Sequence, residues 1–483
     1  MERHDLPRTP RSIEELGIPV GLVHDLAMRR ALYEGRTSTV RLSHGLGISM
    51  AIMSKVVEEL RDLRLLDLLG MEGRDYIFDL TEQGRDHARE RVSLCRYAGH
   101  APISIAEYSA MVLRQGAPPS VTRESMRRAF SDLVVSDRMI EELGPALLTE
   151  GAMFLYGPPG TGKTSVAERL IRTHTAPVLV PRCVEVDSQI VTVFDPLIHE
   201  PVDEQPKELD PRWVLCRRPS IVAGGELTAS MMDLTFEPNS GVYLAPIQMQ
   251  ANNGLLVIDD FGRQGISPEA LLNRWIVPLD RRIDFLSLTY GVRFEVPFDV
   301  KVVFSTNLDP ATLGDEAFFR RIQNKILISS ISDAEFDAVL TIAAANAGIT
   351  IAPGAADHLR HVSRQLGDGD LRPYLPKEVC KILKAVCQFN DAPLVLDNEG
   401  VDRVAAIYFT RAGELRSAEA EAASAAGAFH APDAAPSAPP ASASSAPRSM
   451  APPTAALPER PAPAPAPAPA PGPTTAPPGT IQF

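Results

Sequence analysis

Eight consecutive residues, Gly157-Pro158-Pro159-Gly160-Thr161-Gly162-Lys163-Thr164, have the types and spacing to hold a phosphate chain. Their glycines let backbone N–H groups turn inward around phosphate oxygens. Lys163 is spaced to reach the β- and γ-phosphates, and Thr164 to place its hydroxyl on Mg²⁺. ATP with Mg²⁺ is therefore the expected ligand. A second group is the carboxylate pair Asp259-Asp260, which closes the apolar run Gly254–Ile258. Asn307 ends another apolar run, Val300–Phe304, and Arg320-Arg321 follow after Asp315–Phe319.

Specific elements must position these residues. Ala152–Tyr156 is an apolar run ahead of the loop, and Ser165–Leu170 has the spacing of an amphipathic helix behind it. A helix starting there adds a positive dipole end to the phosphate site. Downstream, Ala176–Val180 reads as a strand, Asp187–Val193 as helical and Pro201–Arg218 as irregular. Segments 230–236 and 242–245 flank Glu237-Pro238-Asn239-Ser240-Gly241 and read as a hairpin. Gly254–Asp260 is a buried strand, and Pro268–Val277 a helix. Arg282–Leu288 and Val292–Val296 flank Thr289-Tyr290-Gly291 as a second hairpin, and Val300–Asn307 is another buried strand. Alternating strand and helix imply an α/β fold with a parallel central sheet. Four helical segments follow, over Asp333–Ala347, Ala355–Leu366, Pro376–Phe389 and Gly400–Gly413.

Phosphate loop, carboxylate-ended strand, hairpin, Asn-ended strand and Arg-Arg, in that order, resemble the AAA+ ATPases of the branch with a hairpin before the sensor strand. MoxR-like ATPases and bacterial enhancer-binding activators belong to that branch. The resemblance covers about 125–413, and 256–322 also resembles a bacterial AAA+ group of chaperone-like character. It implies a P-loop AAA+ domain with an all-helical lid, Mg²⁺-dependent ATP hydrolysis and a homo-oligomeric, hexameric ring that remodels a protein partner. Gly157–Thr164 and Ser165 would then bind nucleotide, and Asp259 would hold the Mg²⁺ shell. Most relatives carry Glu at the next position to polarise the attacking water; here Asp260 is one methylene shorter. Asn307 would be the sensor. Arg321, with Arg320 second, would be the finger that acts on a neighbouring subunit. Val134 and Val135, in an apolar segment before the loop, would stack the adenine, with plain core packing as the alternative. Lys377 or Arg372 would be the lid cation. Relatives usually carry Arg there, and Lys cannot form a bidentate fork.

Ahead of this region, Val20–Glu34 and Thr39–Leu46 have helical spacing, Ser49 stands as an N-cap, and a helix runs from Met50 to about Arg64. Leu65–Leu69 and Asp75–Leu80 flank Gly70–Arg74 as a hairpin, and Thr81 opens a last helix. This order resembles a winged helix-turn-helix domain over Val20–Val92. The outward residues of the third helix would be Met50, Ala51, Ser54, Lys55, Glu58 and Glu59. Reading base edges and phosphates calls for Arg, Lys, Asn or Gln. One lysine against two glutamates favours protein docking over DNA binding or a purely structural cap.

The 483 residues carry a net charge of −13, a poor match for non-specific nucleic-acid binding. Five scattered cysteines form no C-x-x-C pair and imply reduced thiols without zinc. No apolar run approaches a membrane span, and Met1–Asp5 has no signal-peptide core, so a cytoplasmic protein is expected. Ala, Pro and Ser dominate from about Ala418, a composition that cannot bury a core. The expected divisions are an arm (1–18), the winged helix (19–97), a linker (98–124), the ATPase core (125–330), the lid (331–416) and a disordered tail (417–483).

Overall fold

Five short segments build the central sheet: Met153–Tyr156 (β1), Ser220–Ala223 (β2), Leu255–Ile258 (β3), Lys301–Thr306 (β4) and Asn324–Leu327 (β5). All neighbours are parallel, in the order β2-β3-β4-β1-β5. The computed structural model describes residues 6–73, 75–116, 121–149, 151–309, 322–366 and 369–409. Arg320, Arg321 and the tail 417–483 lie outside them. β1, β3 and the middle of β4 (Val302–Phe304) are apolar because both faces are covered. On one face Phe154, Phe261 and Phe304 pack with Trp275 of the helix Pro268–Arg281. On the other, Leu155, Val257 and Val303 meet the helices Arg123–Ala129, Asp137–Leu148 and Lys163–Leu170. Each such side chain, fully buried, stabilises the fold by about 1.5–3 kcal/mol. The order brings the ends of β1, β3 and β4 side by side, and ligands of open α/β sheets bind beyond such strand ends.

A second, mixed sheet draws four strands from between the phosphate-loop helix and β3 and a fifth from ahead of the loop. Its order is Thr235–Glu237, Val242–Leu244, Gln189–Thr192, Cys183–Val186 and Ile103–Ser104. The helix expected over Asp187–Val193 is instead the strand Gln189–Thr192, antiparallel to Cys183–Val186. Asp187 and Ser188 make the turn with φ of 49° and 62°. Positive φ at both central residues suits a two-residue hairpin, and here no glycine signals it. Pro201–Arg218, expected to be irregular, contains Trp213–Cys216, which pairs with Val178–Pro181 outside the central sheet. Ser220–Ala223 gave too short a run to be read as a strand, yet it lies beside β3.

The stretch 98–124 is not a structureless linker. Its helix Ile105–Gln115 buries Tyr108, Met111 and Val112. Asn252 Nδ2 donates to Tyr108 Oη at 2.7 Å, and Asn253 Nδ2 to the Val112 carbonyl at 2.9 Å. Gln115 Nε2 donates to the carbonyl of Leu179 and to Asn253 Oδ1. The helix is thus clamped to the two residues that lead into β3.

The first helices are Val20–Glu34, Thr39–Leu46 and Met50–Asp62, followed by the hairpin Leu66–Glu72/Asp75–Leu80 and the helix Glu82–Leu94. Thr37–Ser38 adds a third short strand on Asp75–Leu80. The hairpin's first strand passes through Gly70 with an irregularity after Leu68, so the turn comes at Gly73 rather than over 70–74. Ser49 holds the cap position but makes no capping bond, and its buried hydroxyl has no partner among the described residues. Met50, Ala51, Ser54, Lys55, Glu58 and Glu59 are all exposed. These helices share one core with Cys183, Ile190 and Val242 of the second sheet. The four C-terminal helices, Asp333–Ala347, Ala355–Leu366, Leu375–Phe389 and Asn398–Tyr408, have their own core. Among the described residues no helix is long and apolar enough to cross a membrane.

Candidate nucleotide-binding site

β1 delivers the chain into the loop 157–162, and the helix Lys163–Leu170 starts at its end. Two glycines there are demanded by close approach. A Cβ on Gly157, whose φ is 145°, would stand 2.2 Å from the Ile328 carbonyl oxygen; one on Gly160 would meet the Tyr374 ring at 2.4 Å. Lys163 is 6% exposed. Its Nζ donates to the carbonyls of Gly157 (3.0 Å) and Pro158 (2.8 Å) and to Asn307 Oδ1 (2.6 Å). Burial draws its pKa below the usual lysine range, and Asp259 and Asp260 partly offset that.

Thr164 Oγ1 donates to Asp259 Oδ2 at 2.7 Å. Asn307 Nδ2 donates to Asp260 Oδ1 at 3.3 Å, so one side chain bridges Lys163 and Asp260. Asp260 has a left-handed φ of 48°. That conformation is held by its surroundings: Phe261 N donates to the Ser305 carbonyl (2.7 Å), and Thr306 Oγ1 to that of Phe261 (2.9 Å). Gln264 closes the turn, accepting from Gly262 N and donating to the Asp259 carbonyl. Backbone strain of this kind persists where the fold over-determines it, and clusters at functional sites.

These groups open into a cleft of ≈ 1180 Å³ between the sheet's strand ends and the C-terminal helices. That exceeds the ~300–1,000 Å³ of ordinary small-molecule sites. Pro159 to Ser165, Asp259, Asp260 and Asn307 line it, as do Val134, Val135 and Lys377. Gly157 and Pro158 contribute instead through the carbonyls that hold Lys163. Arg372 is not among the lining residues; its Cδ and the Tyr374 ring are the atoms nearest the Gly160 position. Tyr374, Arg263, Ile342 and Ala343 were not singled out in the sequence. Only the place of Arg263, three residues past Asp260, could have flagged any of them.

Mg²⁺ suits the donors present. A hydroxyl and a carboxylate side by side at a phosphate loop are hard oxygens, and Mg²⁺ takes one or two such ligands while water and phosphate fill the rest. No group of three or more His, Cys, Asp or Glu forms a metal cage among the described residues.

Residues 153–221 match the family model described as ATPase family associated with various cellular activities (AAA). Residues 332–407 match a Domain of unknown function (DUF8689). A comparison with curated proteins found no match. Among solved structures, NtrX from Brucella abortus is 12% identical with a TM-score of 0.35, over 66% of this chain and 59% of that one. The RuvB Holliday junction branch migration motor of Thermotoga maritima is 14% identical with a TM-score of 0.30, over 60% and 72%. The FIGL-1 AAA domain is 11% identical with a TM-score of 0.31, over 63% and 88%.

Proposed function

We propose that this chain, which carries an AAA ATPase family segment over residues 153–221, hydrolyses ATP to ADP and phosphate and uses the energy to remodel a bound protein. The observation that carries the reading is the linked set Thr164–Asp259 and Lys163–Asn307–Asp260 at the ends of adjacent strands. In this reading Lys163 exchanges its loop carbonyls for phosphate oxygens, and the loop's N–H groups hold the rest of the chain. Asn307 orients the attacking water, and Asp260 accepts a hydrogen bond from it. Thr164 and Asp259 hold Mg²⁺, which supplies charge neutralisation between the phosphates. Val134 and Val135 cover the adenine, and Lys377 reaches the nucleotide from the lid, with Arg372 behind the loop.

The remaining assignments belong to the same proposal. The chain works in the cytoplasm as a homo-oligomeric ring, a hexamer, whose Arg321, with Arg320 second, meets the neighbour's nucleotide. The winged helix formed by residues 19–97 docks a protein. The exposed Lys55, Glu58 and Glu59 support docking over the second reading, an ATP-switched regulator that binds DNA. Mixing variants tests the ring. Arg321→Ala should bind ATP yet lose most turnover, and Lys163→Ala should lose binding. Together they should recover activity above the sum of the two, because one supplies the nucleotide and the other the finger. No recovery at any ratio would contradict the ring mechanism and favour the switch.

A further inference from the structure

We propose that Arg263 is a catalytic cation acting in cis, supplied by each subunit to the γ-phosphoryl group of its own nucleotide. The inference rests on the ATP-hydrolysis reading and adds a residue to it.

Arg263 lines the cleft together with Asp259, Asp260, Ser305 and Asn307. It is exposed, and among the described residues it makes no ion pair or side-chain hydrogen bond. It shares the cleft with two carboxylates and pairs with neither. Asp259 is taken by Thr164, and Asp260 by Asn307. The other arginine lining the cleft, Arg169, is tied to Asp132 and Glu168. Lys163 is engaged with loop carbonyls and Asn307. Lys377, Lys381 and Lys384 belong to the lid helix Leu375–Phe389 rather than to the strand ends. Among the described residues on the strand-end side, Arg263 is thus the guanidinium left to meet a ligand.

The backbone that carries Arg263 is fixed. Its own N–H donates to the Asp260 carbonyl at 3.0 Å, and the Gln264 clasp and the Phe261–Ser305 bond hold the residues on either side. A fixed root with a free head can bring a cation to a ligand in the cleft without a large loop movement. The head suits its target, because guanidinium is always charged and its planar fork matches phosphate oxygens.

In the reaction, the water oxygen bonds to the γ-phosphorus as the bond to the β–γ bridging oxygen breaks. The electron pair leaves on the β-phosphate; of the water's two protons, one stays on the released phosphate and the other goes to solvent. Arg263 exchanges no proton. It stabilises charge on the transferring group, an effect stronger in the transition state than in bound ATP.

The test uses the full chain with Arg263→Ala and Arg263→Lys. Arg263→Ala should bind Mg·ADP within about threefold of wild type and lose ~10²-fold or more in kcat. Its affinity for Mg·ADP with aluminium fluoride, which mimics the transferring group, should fall by a similar factor in calorimetry. Arg263→Lys should restore part of both. Mixing Arg263→Ala with Lys163→Ala should give no activity above the sum, the opposite of the Arg321→Ala mixture. Unchanged kcat, unchanged aluminium-fluoride affinity, or recovery on mixing would each overturn the cis role while leaving hydrolysis itself intact. A wild-type chain that hydrolyses no ATP would remove the underlying reading as well.

Discussion

Asp260 combines a negative charge, a left-handed φ of 48° and a hydrogen bond from Asn307. The substitution Asp260→Asn separates these properties. Asparagine tolerates the left-handed region and keeps the shape of the side chain while removing the charge. If Asp260 activates water, kcat should fall ~10²–10⁴-fold with ATP affinity nearly unchanged. A steady-state assay that finds kcat within twofold of wild type would assign the water to another group. At this scale the sequence was highly legible. Gly157–Thr164, Asp259-Asp260 and Asn307 each sit within a few residues of the strand that aims them, so local patterning was enough. Tyr374 depends on which side chains face the finished cleft, and no local pattern carries that; Arg263 had only its place three residues past Asp260 to mark it. Arg372 shows the same difficulty: its charge was visible, but its place behind Gly160 rather than on the cleft wall was not.

Elements were legible where periodicity was long. Val20–Glu34 and Asp333–Ala347 follow from apolar spacing, and β3 and β4 from continuous apolar runs. Four-residue strands such as Ser220–Ala223 and Gln189–Thr192 are too short to show a period. The helix Ile105–Gln115 was hidden behind its Ala117-Pro118-Pro119-Ser120 exit, which marks a linker by composition. Between this helix and the N-terminal helices lies His100, whose Cδ2 is the atom nearest the Gly47 position, 2.6 Å from where a Cβ would stand. Burial, with Arg182 nearby, pushes its pKa down to about 4, and burial does the same to His174. In the unfolded chain both would titrate near 6.5. Below that pH the unfolded state binds more protons, so stability falls as pH drops from about 6.5 towards 4. Carboxylates titrate in part of the same window, so the difference between wild type and His100→Gln isolates the histidine. The melting temperature of His100→Gln should decline less steeply across that range. Parallel curves would show that His100 stays solvated at this junction.

At the scale of the molecule, the cleft joins parts that fold around separate cores. Val134, Val135 and the phosphate loop belong with the central sheet, while Ile342, Ala343 and Lys377 belong to the C-terminal helices. A ligand there contacts both, which is how phosphate chemistry could move one against the other. The N-terminal helices share a core with the second sheet, and the helix Ile105–Gln115 ties that region to the approach to β3. The α/β class and the parallel sheet were predictable from alternating segments. The second sheet was legible only in part: the local hairpin over 235–244 was expected, but the joins of Val242–Leu244 to Gln189–Thr192 and of Ile103–Ser104 to Cys183–Val186 span long separations that no local pattern carries.

The proposed hydrolysis depends on nucleotide binding at Lys163. Calorimetric titration of Mg·ATP into wild type and Lys163→Ala, each first shown by thermal melting to be folded, tests that most directly. Wild type should show saturable binding with one site per chain. Lys163→Ala should bind at least tenfold more weakly, as expected for a charge-assisted contact of ~1.5–3 kcal/mol. Equal affinities, or no binding to wild type, would contradict the assignment of the cleft as an ATP site.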